Sequence, residues 1–125
     1  MPRTQINVPG LYAALDAVRE HRGLSWRQLA REIGVSPSTF SRLANQQKPD
    51  VDAFAAMVRW LKVPAERFMV DESEVLPREE PELMAELAPL LRARKDLNTE
   101  DKVYLEELIS SAMRRFAAER AARDA

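Results

Sequence analysis

Apolar side chains recur every three or four residues through most of the chain, the repeat of helices with one buried face. Leu11, Ala14, Leu15 and Val18 form the first stripe and predict a helix from Gly10 to about Arg22, ended by Gly23. Leu29, Ala30 and Ile33 predict a short second helix, and Phe40 with Leu43 a third. Phe54, Met57, Val58 and Leu61 give the inward face of a fourth, about Val51 to Leu61, with Asp50 at its cap. Pro64 opens a short fifth helix anchored by Phe68. Met1 to Val8 reads as an irregular, fraying arm in which Arg3 is a candidate for phosphate or the minor groove. Nothing signals a strand, and no internal repeat stands out.

The pattern changes after residue 69. Acids dominate Glu66 to Glu86, and Pro77 and Pro81 break regular structure, so 70–80 reads as a linker between a domain at 1–69 and an extension at 81–125. In the extension, Leu83, Met84, Leu87, Leu90 and Leu91 repeat at helical spacing, with Pro89 expected to kink that helix or start a new one. Leu105, Leu108, Ile109, Ala112 and Phe116 stripe a last helix from about Glu100 to Arg120 or beyond. Asn98-Thr99 caps it, Glu100 and Asp101 suit its positive end, and arginines crowd the other end.

The polar residues of Ser25 to Asn45, SWRQLAREIGVSPSTFSRLAN, carry the most specific signal. Ser25 can cap the second helix while Gln28, three residues on, returns to the Ser25 N–H. Gly34 follows the last apolar residue, where the backbone must turn left-handed. Ser36 caps the next helix and Pro37 occupies its first turn, where a missing N–H costs nothing. Two short helices joined by a tight turn make a helix-turn-helix. Its second helix turns Phe40 and Leu43 inward and leaves polar side chains for the other faces.

At Leu29-Ala30, Gly34-Val35-Ser36, Ser41-Arg42-Leu43 and Pro49, the chain resembles the lambda-repressor/Cro-like helix-turn-helix regulators of the xenobiotic-response-element type. The resemblance spans about residues 10–69. It implies an all-α fold: a five-helix lambda-repressor-like DNA-binding domain followed by a C-terminal helical extension. It also implies that the helix beginning at Pro37 enters the major groove of double-stranded DNA. Ser38, Thr39 and Arg42 are then the candidates for base edges, Arg42 foremost because its fork pairs bidentately with guanine. Candidates for backbone or flanking contacts are Arg27 and Arg31 on the preceding helix, Ser36 and Ser41, and Asn45, Gln46, Gln47 and Lys48 beyond the reading helix. Members of the family commonly carry Gln where this chain has Trp26. An indole N–H can still donate to phosphate there, and Arg27 is a substitute.

Charge adds to this picture. The net charge is −1, yet residues 1–62 hold 9 Lys/Arg against 5 Asp/Glu, and residues 63–125 hold 10 against 15. A basic first half suits a DNA-facing part. There is no Cys, which excludes disulfides and thiolate metal sites and fits a reducing cytoplasm. The start of the chain lacks an apolar export signal, and no apolar run suits a membrane span. The single His21 lies in a helix's last turn with no second ligand of its kind nearby, so no metal or other cofactor is expected. With no Cys, one His, no phosphate-cradling glycine loop and Glu106 and Glu107 diverging on a helix, no catalytic constellation emerges.

The function expected is a sequence-specific DNA-binding transcriptional regulator, a dimeric repressor on a palindromic operator. Two helices turning near Asp96 to Asn98 form a hairpin too small to bury both stripes alone. A second copy is favoured as its partner, through Leu105, Leu108, Ile109, Ala112 and Phe116. Packing on the first domain and binding another protein stay open. The tail is also similar to those of short repressors governed by a regulatory protein partner such as a metalloprotease. Trp60 fits a core edge, a place under the extension, or a subunit contact. The rival class is a protein-interaction module, an antitoxin or adaptor whose tail binds another protein.

Overall fold

A computed structural model of the chain describes residues 4–71 and 80–125. Backbone proximity divides the chain into two units, Met1–Pro77 and Arg78–Ala125. Arg3 and residues 72–79 of the expected linker lie outside the described residues.

The first unit consists of α1 (Val8–Arg22), α2 (Trp26–Ile33), α3 (Pro37–Ala44), α4 (Val51–Leu61), a single 3-10 turn (Ala65–Phe68), and two short strands, β1 (Thr4–Ile6) and β2 (Met69–Asp71). The 3-10 turn stands where a fifth helix was expected. The strands correct the reading of an irregular arm and of a linker starting at 70. They pair antiparallel with Gln5 opposite Val70. Three-residue strands carry too little alternation to register as a pattern, and their partners lie at opposite ends of the unit. Asn7 joins this pair to α1. Its N–H donates to Phe68 O at 2.6 Å, and its side-chain Oδ1 accepts from Gly10 N at 3.1 Å. That cap starts α1 at Val8, two residues before the expected Gly10, with Pro9 in the first turn. Glycine at position 10 is required by the cap, since a Cβ there would stand 2.4 Å from Asn7 Nδ2.

The core lies where the helices cross. Leu11 and Leu15 of α1, Leu29 of α2, Leu43 of α3 and Met57 of α4 are fully buried, with Phe40, Phe54 and Phe68 closing the ends. Local chemistry fixes several helix ends. The Ser25–Gln28 capping box is formed in both directions, at 3.1 and 2.8 Å. Gly34 ends α2 at φ +90°, and its N–H donates to Ala30 O at 2.8 Å. Asp50 caps α4 by accepting from Ala53 N at 2.7 Å. Lys62 ends α4 in the left-handed region at φ +59°. Trp60 packs at the core edge, where its Nε1 donates to Glu32 Oε2 at 3.2 Å and the Arg22 guanidinium covers its ring at 4.9 Å.

The second unit is a hairpin of α5 (Leu83–Arg92) and α6 (Thr99–Asp124). Pro89 does not end α5, which continues to Arg92. Asn98 and Asp101 form a second reciprocal capping box at the start of α6. The helices are tied by Arg92 Nε to Glu106 Oε1 at 2.8 Å and by Lys102 Nζ to the Arg92 carbonyl at 2.8 Å. In the connection, the Arg94 fork grips both oxygens of Asp96 at 2.8 and 2.7 Å, holding that carboxyl below its usual range. Neither helix contains a buried residue.

No atom would lie within 4 Å of a Cβ at Gly34, so substitution there tests the backbone alone. Gly34→Ala is expected to lower the unfolding free energy by about 1–2 kcal/mol, read from urea denaturation, because alanine resists the left-handed region.

Candidate nucleic-acid interface

Helix α3 is eight residues long, too short to persist alone in water. Phe40 and Leu43 hold it, at 3% and 2% exposure, and this fixes what its other sides present. Ser38, Ser41, Arg42 and Asn45 are all exposed. So are Gln46, Gln47 and Lys48, which leave the end of α3. Gln46 turns the chain with a left-handed φ of +63°, while the Gln47 N–H donates back to Arg42 O at 2.9 Å. On the preceding helix Arg27 and Arg31 are exposed. Among the described residues, none of Arg27, Arg31, Arg42 and Lys48 is engaged in an ion pair. The cations of this face are therefore free to meet an external anion.

Thr39 departs from the sequence expectation. It is only 7% exposed, lying one turn before Leu43 on the same side of α3. Its hydroxyl shares a hydrogen bond with Ser36 Oγ at 3.1 Å and accepts a long one from Arg42 Nη2 at 3.4 Å. Thr39 is thus a support beneath Arg42 rather than a side chain offered to solvent. Ser36 stands at the expected cap position, but its hydroxyl makes no bond to a backbone N–H. It bonds Ser38 Oγ and Thr39 Oγ1 instead, each at 3.1 Å. A polar cleft of about 270 Å³ opens beside this network, lined in part by Ser36, Thr39, Arg42 and Asp52.

Trp26, expected at a phosphate, is half-buried in an aromatic stack. Its ring lies 5.1 Å from Tyr12, nearly parallel at 17°, and 5.1 Å from Phe40, tilted by 42°. The Arg19 guanidinium sits 4.6 Å from the same ring, held by Asp16 at 2.7 Å and by the Leu24 carbonyl at 2.9 Å. These contacts couple α1, the start of α2 and the inner face of α3. Sequence reasoning passed over Tyr12 and Arg19, which position α3 through Trp26. Their spacing along α1 carried no mark of that role, because it arises only when α3 closes against them. No group of His, Cys, Asp and Glu that could hold a metal ion occurs among the described residues, and no helix there is long and apolar enough to cross a membrane.

Residues 13–68 match the family model described as a helix-turn-helix domain. The match encloses α2, the Gly34 turn, α3 and the exposed cations around them. No protein of curated function matches the chain. The match and the geometry agree on a helix-turn-helix over α2, the Gly34 turn and α3, in a chain whose described residues are mostly helical.

If Trp26 serves packing, Trp26→Ala removes the stack as well as the indole N–H. It is expected to destabilise the unit by roughly 2–3 kcal/mol, measured by thermal or urea unfolding, in line with truncating a large aromatic that is not fully buried.

Proposed function

We propose that the protein is a sequence-specific DNA-binding transcriptional regulator that represses from a palindromic operator as a homodimer in the cytoplasm. The observation that carries this reading is the division of α3 into an inner face of Phe40 and Leu43 and an outer face of Ser38, Ser41, Arg42 and Asn45. A helix held by one side with short polar residues and arginine on the other fits the major groove, whose edges are rich in hydrogen-bond groups. Ser38 and Arg42 are the base readers in this reading, with Arg42 directed to guanine. Thr39 acts through Arg42. Arg27, Arg31 and Lys48, exposed and without ion pairs, grip the phosphates that flank the groove, and Ser41, Asn45, Gln46 and Gln47 stand at its margins.

Dimerisation follows from two considerations. One short helix reads only about 4–5 base pairs, and phosphate contacts alone carry little sequence information. Joining two copies adds their specific contacts and makes the second binding event intramolecular. The hairpin supplies the means, because Leu108 and Phe116 are 48% and 49% exposed and neither of its helices has a buried residue. A two-fold dimer then meets half-sites about 34 Å apart. The same exposed face is what an adaptor or antitoxin would need, and a stable complex with another protein in place of salt-dependent duplex binding would favour that function.

Selection of bound sequences from a random duplex pool tests the proposal: enrichment of an inverted repeat supports it, and no enrichment at any salt concentration overturns it. On the selected site, Arg42→Ala is expected to cost about 1–3 kcal/mol and to relax the preference at one base position. Lys48→Ala should weaken selected and scrambled duplexes alike and lower the salt slope by about 1, both read by fluorescence anisotropy across a salt series. An equal loss on both duplexes for Arg42→Ala removes it from the base readers.

A further inference from the structure

Helix α6 exposes an apolar strip that its own hairpin leaves open. The side packed against α5 is marked by Glu106, held by Arg92, and by Lys102 on the Arg92 carbonyl. Leu105, Leu108, Ala112 and Phe116 follow one another at three- and four-residue steps, so they share a sector of the helix. Leu108 and Phe116 are about half exposed, and Tyr104 beside them is 61% exposed. What covers this strip is indicated by the charges around it.

The first half of α6 is acidic. Glu100, Asp101, Glu106 and Glu107 face a single base, Lys102. The second half is basic, with Arg114, Arg115, Arg120 and Arg123 against Glu119 and Asp124. The arrangement is finer than a simple gradient. Counting outward from the Ser110–Ser111 junction, Ile109 matches Ala112, Leu108 matches Met113 and Leu105 matches Phe116. Among the charged residues Asp101 matches Arg120 and Lys102 matches Glu119 beside the strip and Glu106 matches Arg115 farther round, while Glu107 matches Arg114 on the opposite side of the helix. From Asp101 to Arg120 the helix reads the same in both directions for apolar residues and with inverted sign for charged ones.

We infer that α6 pairs antiparallel with α6 of a second copy, about a two-fold axis at the Ser110–Ser111 junction. This rests on the dimeric reading above and specifies its architecture. Two packed helices lie about 8–10 Å apart, within the range over which charges still interact at physiological salt. In the antiparallel arrangement matched residues stand at equal height, so apolar levels meet apolar levels and acids stand level with bases. The helix dipoles oppose as well. A parallel pair would set Asp101, Glu119 and Arg120 each level with its own copy. The small Ala112 close to the axis lets the backbones approach.

The chain has no cysteine, so single introduced thiols report the arrangement in the full-length protein. In the antiparallel pair Ala112 is offset from its own copy by about 4.5 Å along the axis, whereas Arg123 is offset by about 37 Å, at 1.5 Å per residue. Ala112→Cys is expected to link to itself with a short thiol crosslinker, and Arg123→Cys is not. Leu108→Asp, checked for retained helix by circular dichroism, should weaken the dimer roughly 10- to 100-fold in sedimentation, the loss typical of a central contact. Phe116→Ala, a milder change, should act in the same direction. Self-linking of Arg123→Cys as efficient as that of Ala112→Cys overturns the antiparallel arrangement and leaves a dimer standing. A dimer untouched by both Leu108→Asp and Phe116→Ala places the interface elsewhere and also overturns it. A wild-type chain that sediments as a monomer at every concentration overturns the inference and the dimeric reading together.

Discussion

The burial of two side chains, Phe40 and Leu43, governs the rest of the helix-turn-helix unit. Eight residues form too few backbone hydrogen bonds to repay nucleation, so α3 exists because the core holds one side of it. The hold extends outward in a defined order. Phe40 meets Trp26, Trp26 meets Tyr12, and Arg19 lies against Trp26 while gripping the loop at Leu24. Each contact fixes a direction as well as a distance. The result is a helix whose orientation is set by α1 and α2, leaving its outer side chains clear of the core.

Local chemistry was readable where a residue and its partner are neighbours in sequence. The Ser25–Gln28 box, the Gly34 turn, the Asp50 cap and the Asn98 cap are all three- or four-residue motifs, and each stands where its spacing put it. The same logic could have placed the start of α1, since Asn7 followed by Pro9 is a cap signature; attention to Gly10 as a boundary obscured it. Thr39 was also within reach. Four residues before Leu43, it had to share the inner side of α3. The strand pair and the setting of Trp26 were not legible, because both depend on residues brought together only by the finished fold. Thr4–Ile6 and Met69–Asp71 pair across the whole length of the unit, and Tyr12, Trp26 and Phe40 come from three helices.

The two units divide their chemistry. The first closes a core of eleven buried apolar residues and keeps its cations outside and uncommitted around α3. The second has no buried side chain in either helix and carries its order in end caps, a few ion pairs and the pattern of its surface. A hairpin built in this way leaves Leu108 and Phe116 of α6 about half exposed.

The separation of inner and outer residues on α3 also bears on how such a protein changes. Ser41 and Asn45 can be exchanged for other polar side chains without disturbing Phe40 or Leu43, so the scaffold tolerates change at these outer positions. Arg42 is less free than its exposure suggests, since its guanidinium rests on the Thr39 hydroxyl, which is itself tied to Ser36. Drift in this lineage should therefore move Ser36, Ser38, Thr39 and Arg42 as a set and Ser41 and Asn45 one at a time.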